Sequence, residues 1–423
     1  MKIKSSNNFI IFLLIIFVEL SATVNSFGGN GGSGYSRYGL GDIRYFPSSR
    51  AIGMGGSGIG VLANNSINRI NPAGLTPISQ TSYSLGILYE GFSTTDGEKS
   101  GYFSGASFNG IQLAIPIMPT DGIVLSAGLV PYSFINYHVI SPVTSTDLSY
   151  DVEYLGNGGL SLAHIGLSAT LASDFHIGSK VNYYLGTLNY TTRQSFGNLN
   201  YSEVLRSMEL SGFGLTLGTI YSGLNKAIGL SSAKMITIGA VFTTTSYLAA
   251  TEEKFYTYRM PTVLTRDTTP TTDTKIKLPY SLGFGISYLT ERFLFACDVH
   301  YQNWKLITVD VNTLEELRDS YRISAGGEYL ARRDQSISYF QRIPLRLGFF
   351  YNSSYYLIKG NPINEIGITG GFGIPIFGDT RIDIGAEYSF RGTTDQQLQK
   401  DKILRLSFTL NGGEIWFIRP EQE

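Results

Sequence analysis

The sequence predicts an all-β protein: a transmembrane antiparallel β-barrel of about 14 strands with an N-terminal plug, or hatch, in its lumen. Three observations carry this. Apolar and polar residues alternate with a period of two in segment after segment beyond Thr81, the mark of strands with two unlike faces. Only 15% of the 423 residues are charged, whereas Tyr 28, Phe 25 and Gly 49 are abundant; an ordinary soluble domain carries roughly 25% charge. The stretch between the N-terminal leader and Thr81 shows no sustained period of either kind, so it does not read as wall.

In chain order, Lys2 and Lys4 precede an apolar run, Phe9 to Val18, too short for the ~18 residues of a spanning helix. It fits a signal peptide over residues 1–26, with Ala22 and Ser26 both offering a cleavage point. Residues 27–80 are expected to form the plug. Phe27 to Gly41 is rich in Gly, Ser and Tyr, and Asp42 to Gln80 continues irregular. One short helix is expected near Asn65 to Ile70, capped by Asn64 or Asn65. Pro72 ends it by pushing Asn71 toward an extended backbone.

Residues 81–423 read as the barrel. The clearest strand is Ser281 to Leu289, where Leu282, Phe284, Ile286 and Tyr288 alternate with Ser281, Gly283, Gly285 and Ser287. The same pattern runs through Ile382, Ile384, Ala386, Tyr388 and Phe390, and again through Leu404, Leu406, Phe408 and Leu410. Strands are expected near 83–91, 102–118, 122–138, 148–172, 175–193, 205–222, 234–256, 275–290, 293–306, 320–331, 343–356, 363–376, 381–392 and 401–412. That even count suits a barrel whose two termini lie on one side. Connections 223–233 and 332–342 are long for that side, which leaves twelve or sixteen open. A lumen of fourteen strands is wider than the filled interior of an eight-stranded barrel, and residues 27–80 are available to occupy it.

Chemistry has little local support. Gly53-x-Gly55-x-x-Gly58 matches a dinucleotide fingerprint, but the strand before it and helix after it are missing. A net charge of -1 gives no reason to expect nucleic acid. Cys297 stands alone, which excludes an intrachain disulfide. The four histidines fall in separate strands without metal-like spacing. No catalytic residue, metal or cofactor is therefore expected, and the chain does not read as an enzyme. Arg322, Glu328, Arg346, Arg381, Asp383, Glu387 and Arg405 share the inward parity of the last strands. They are expected to form a lumen charge network that anchors the plug, or in part to orient an anionic headgroup. Val130-Pro131-Tyr132 places a proline mid-strand, where it donates no ladder bond, so the wall must bulge or open there. Gly156-Asn157-Gly158-Gly159 is expected to interrupt the strand beside it.

The Asn71-Pro72-Ala73 triplet, led in by Gly53 to Gly60 and followed by fourteen strands, resembles the FadL/TodX long-chain fatty acid transporters of bacterial outer membranes. The resemblance implies a multi-pass barrel in outer-membrane lipid, with Asn71, Pro72, Ala73 and Gly74 as plug and gate. It implies a third strand kinked at Pro131 into a lateral opening, and passive uptake of small hydrophobic ligands, fatty-acid-like or aromatic. Lys277 to Tyr288, Arg322 to Tyr329 and Ile363 to Gly373 look like a broader branch that includes FadL-like subunits of type IX secretion. The alternative expectation is thus a non-transporting interaction subunit of a secretion or envelope-assembly machine, with an envelope protein partner.

Overall fold

A computed structural model describes residues 32–414 apart from 46–47, 145–148, 197–199, 230–233, 261–262, 307–316, 331–337 and 378–379. The signal-peptide reading over 1–26 and most of the connection 307–319 lie outside the described residues.

The period-two segments do form strands, because side chains that alternate in polarity can satisfy two unlike surroundings at once. The wall runs β2 Thr81–Thr95, β3 Ser100–Met118, β4 Ile123–Pro131, β5 Ser133–Thr144, β6 Ser149–Ala172, β7 Phe175–Phe196 and β8 Asn200–Tyr221. It continues through β9 Met235–Thr243, β10 Ser246–Met260, β12 Thr272–Leu278, β13 Ser281–Leu289, β14 Phe293–Gln302 and β15 Ser320–Tyr329. It ends with β16 Leu345–Ile358, β17 Asn361–Phe377, β18 Thr380–Gly392 and β19 Lys400–Glu414. β19 pairs with β2 and closes the sheet. Three staves are each made of two pieces, β4 with β5, β9 with β10 and β12 with β13, so the antiparallel barrel has fourteen staves. The strand count follows the sequence, and among the described residues of the two long inner connections there is no further stave.

Ile87, Phe284, Ile286, Leu347, Phe349, Ile366 and Ile368 face outward and are exposed, whereas their strand neighbours Ser281, Ser287, Arg346 and Glu365 face inward and are buried. Such an apolar exterior over a polar lumen is the arrangement that suits lipid outside. Cys297 is exposed on this outer face. Stave height is uneven. β6, β7 and β8 are 24, 22 and 22 residues long, while β14 and β15 have 10 each, and about 9–11 residues suffice to cross a bilayer. The tall side therefore projects at the end opposite Thr81 and Glu414, here called the far end.

Three sequence expectations need correction. No helix forms over 65–70, where the backbone only bends; Asn68 instead spends its side chain on the carbonyls of Gly58 and Val61 and on the amides of Ile70 and Asn71. The helical turns lie elsewhere, as α1 Ser49–Gly53 and a 3-10 turn Pro72–Leu75. The connection left between the expected strands 234–256 and 275–290 is not all loop, because β11 Val263–Thr268 folds back on β10 as a hairpin. Gly156 to Gly159 do not interrupt β6, which is continuous. Gly158 and Gly159 adopt φ of 114° and 147°, a backbone open to glycine, where the partner of β6 changes from β5 to β4.

Candidate functional site

Residues 32–80 make their contacts with the inward side chains of the wall, in three layers. At the far end Tyr35, Tyr38 and Leu40 join an apolar cluster with Ile135, Leu160, Leu188, Leu210, Leu248, Trp304 and Tyr355; the Trp304 and Tyr355 rings stack at 4.4 Å. At the near end Ile67, Leu75 and Ile78 pack on Ala114 and Val124. Between them ion pairs run beside smaller apolar contacts, Ile52 on Leu88 and Phe350, and Met54 and Val61 on Leu294 and Ala296.

The ion pairs follow from register. Glu328 and Arg346 are direct cross-strand partners, as are Glu387 with Arg405 and Arg405 with Glu90. Arg346 Nε meets Glu328 at 2.8 Å and its Nη1 meets Asp383 at 2.7 Å, while Arg381 holds the other Asp383 oxygen at 2.9 Å. Arg405 joins Glu90 at 2.9 Å, Glu365 at 2.7 Å and Glu387. The seven residues expected as one network thus fall into two such groups, plus Arg322. That guanidinium donates to the Gly55 carbonyl at 2.9 Å and stacks over Phe350 at 3.8 Å.

The irregular segment contributes a charge to each level, which no periodicity announced. Arg50 reaches Glu328 at 2.6 Å and Arg44 reaches Glu90 at 2.5 Å. Asp42 accepts from Arg391 at 2.9 Å and from the Tyr356 hydroxyl at 2.8 Å. Arg391 also binds Asp401, whose carboxylate receives Ser33 and Thr94.

Asn71 is fully buried. Its Oδ1 caps the 3-10 turn by accepting from the Ala73 amide at 3.0 Å, and its Nδ2 donates to the carbonyls of Ile59, Thr219 and Ala240 at 2.8, 3.1 and 3.3 Å. Pro72, Ala73 and Gly74 form the turn itself. The triplet fits flush against the wall because Gly178 and Gly218 present no Cβ: a carbon there would stand 2.5 Å from the Pro72 carbonyl carbon at Gly178 and would strike Asn71 Oδ1 at Gly218.

Pro131 is the last residue of β4, and Tyr132 belongs to neither flanking strand. Beyond this break β5 pairs with β6 and with the two-residue β1, Asp42–Ile43, of the irregular segment. The Arg44 amide donates to the Tyr132 carbonyl and Ser36 bonds both backbone groups of Asn136. β3, by contrast, pairs with β4 only from Ile111 onward, so Ser100 to Gly110 ladder with β2 alone. Among the described residues no ladder joins the far half of β3 to β5; residues 36–44 occupy the β5 edge instead. At the divided stave β9–β10, β8 pairs with both pieces, so that side stays laddered; at the third, β12 pairs with β10, and among the described residues β14 pairs with β13 alone.

A cavity of about 220 Å³ lies against this break, lined by Val130, Pro131, Tyr132, Leu162 and Tyr184, and by Arg69, Gln112, His164, Lys180, Asn182, Asp298 and His300. Two of the four histidines therefore share one cavity despite their separation in sequence. Lys180, His164 and Asp298 were legible as inward positions of their strands; Arg69 was not, since its segment has no period. Burial lowers the Arg69 pKa to about 9. No group of three or more metal-ligating side chains occurs among the described residues.

Residues 7–422 match the model of a family described as BamG. No curated protein matches. Among solved structures, the toluene transporter TodX of P. putida aligns with a TM-score of 0.59 at 14% identity over 88% of this chain and 99% of that one. The Ralstonia pickettii toluene transporter TbuX aligns at 0.58 and 14%, over 86% and 98%. A Pseudomonas aeruginosa FadL homologue aligns at 0.57 and 11%, over 88% and 98%. These likenesses establish a shared fold.

Proposed function

The chain belongs to the BamG family, and within the fold it shares with hydrocarbon channels we propose that it is an outer-membrane channel for passive uptake of small hydrophobic molecules. The observation that carries this is the break at Tyr132, where the lumenal cavity abuts a stretch of wall without a strand-to-strand ladder. In a bilayer an open strand edge is costly unless something covers it, and here residues 36–44 do so. Displacing them joins cavity to lipid. Residues 27–80 are then the plug, Asn71, Pro72, Ala73 and Gly74 its wall-anchored gate, and Pro131 the hinge of a lateral opening. The near end faces the periplasm and the tall side faces outward. No step is catalytic.

Purified protein in liposomes should admit a labelled apolar compound faster than an unrelated closed barrel does; equal rates reject the channel. In a Cys297→Ser background, Ile43→Cys with Ser133→Cys joins two register partners of β1 and β5. Oxidation should stop uptake and reduction restore it.

A second reading, an interaction subunit that transports nothing, is favoured by the apolar layer sealing the far end and by ion pairs at three levels. It predicts a stoichiometric protein partner on native pull-down together with no uptake.

A further inference from the structure

The cavity beside the broken stave carries a charge imbalance that passage of apolar molecules does not use. Four of its lining residues are cations, Arg44, Arg69, Lys180 and Arg322, and one is a carboxylate, Asp298. Arg44 is spoken for by Glu90. The Asp298 Oδ2 is held by the amides of Gly58 and Ile59 at 2.6 and 2.9 Å. Arg69 and Lys180, each 7% exposed, are bound only to neutral groups. Arg69 donates to the Asn109 carbonyl at 2.8 Å and to Ser84 at 3.0 Å, and Lys180 Nζ donates to the Arg69 carbonyl at 2.8 Å.

Around these two cations several buried polar atoms have no partner: Arg69 Nε, His164 Nδ1, Gln112 Oε1 and Asn182 Oδ1. His164 Nε2 lies 3.4 Å from Gln112 Nε2; with the amide donating, Nε2 is the acceptor and Nδ1 carries the proton. Three elements then bring donors to one cavity: the Arg69 Nε–H from the lumenal segment, the His164 Nδ1–H from β6 and the remaining Lys180 hydrogens from β7. Buried charge persists where it is paired, and water supplies no compensating charge.

We propose that this cavity binds a phosphoryl oxyanion, gripped by Arg69, Lys180 and His164. A phosphoryl group carries about -1.5 to -2 charges, which balances two cations, and its three oxygens serve donors from three elements. A carboxylate offers one charge and two oxygens. Because Arg69 stands two residues before Asn71, the bound anion ties the lumenal segment to β6 and β7. The proposal goes beyond the channel reading, and a protein that binds phosphate but fails the uptake assay would retain one and lose the other.

The test titrates purified full-length protein in detergent with inorganic phosphate, chloride and acetate at matched ionic strength, following the thermal unfolding midpoint. Phosphorus retained by the untreated protein is assayed before and after organic extraction. Support is a saturable rise with phosphate exceeding that with chloride or acetate, or about one retained phosphorus per chain. Phosphorus that leaves with the organic solvent identifies a lipid headgroup, and phosphorus that stays aqueous identifies the free ion. Arg69→Gln and Lys180→Gln should each weaken phosphate binding roughly tenfold or more, the scale of a lost charge-assisted bond. Should either variant fail to keep the folded barrel's migration in unheated gels, the anion series on the unaltered protein decides. Equal response to all three anions, absence of both response and retained phosphorus, or undiminished binding in both folded variants (an adventitious ion only) overturns the proposal.

Discussion

The two sides of the barrel solve the same problem in opposite ways. Across β15 to β19 and β2 each strand is laddered to the next, with local register shifts in β16 and β17, and the lumenal segment is held where Arg44 and Arg50 join the wall's buried ion pairs at 2.5 and 2.6 Å. Across β3 to β6 the ladder is divided at Tyr132, and there the segment is held by backbone groups and a short β1. Ion pairs desolvated on both partners fix geometry tightly, since loss of either member strands a charge. Backbone pairing along one edge can be exchanged for another edge with little net change. The difference teaches that one segment can be held by buried charge on one stretch of wall and by backbone pairing on the adjoining stretch.

Removing a central cation should break the anchored side most severely. Arg346→Met leaves Glu328 and Asp383, both almost fully buried, short of a partner, and should cost about 3–5 kcal/mol. Urea unfolding in detergent measures this, and a loss below about 1 kcal/mol would show that the ionic side is no anchor.

On β7, next to the divided side, Gly178→Ala places a carbon against the Pro72 backbone and should cost roughly 1–3 kcal/mol by overpacking. The expected signature is faster proteolysis within residues 66–78 with the barrel intact; global unfolding without local cleavage would contradict the assignment of that contact.

The smallest effect should come from an ion pair outside both sides. Lys226 binds Asp174 at 2.5 Å with its side chain 63% exposed, so Lys226→Gln should change stability by no more than about 0.5 kcal/mol. A loss comparable with that of Arg346→Met would mean that burial is not what distinguishes the anchor.

Much of this was legible without coordinates. Fourteen staves followed from alternation, and Pro131 marked the divided stave because a missing amide cannot ladder. Glu328 beside Arg346 and Glu387 beside Arg405 were visible as inward charges on successive strands. The short helix was misplaced because asparagines that look like caps at 64 and 65 lie in a bend, whereas the true cap is Asn71 itself. The hairpin of β11 escaped notice because its six residues are exposed throughout and leave no two-faced pattern.

The sequence alone determined which way side chains face, since a period of two assigns every strand residue to lipid or lumen once one is known. It could not determine which inward charges meet, because that depends on the register between strands far apart in sequence. Nor could it place Asp42, Arg44, Arg50 and Arg69, whose segment has no repeating geometry and takes its shape from the wall around it. The Asn71-Pro72-Ala73 triplet was conspicuous from the start; that it rests against Gly178 and Gly218 and binds the carbonyls of Thr219 and Ala240 was decided only when the barrel closed.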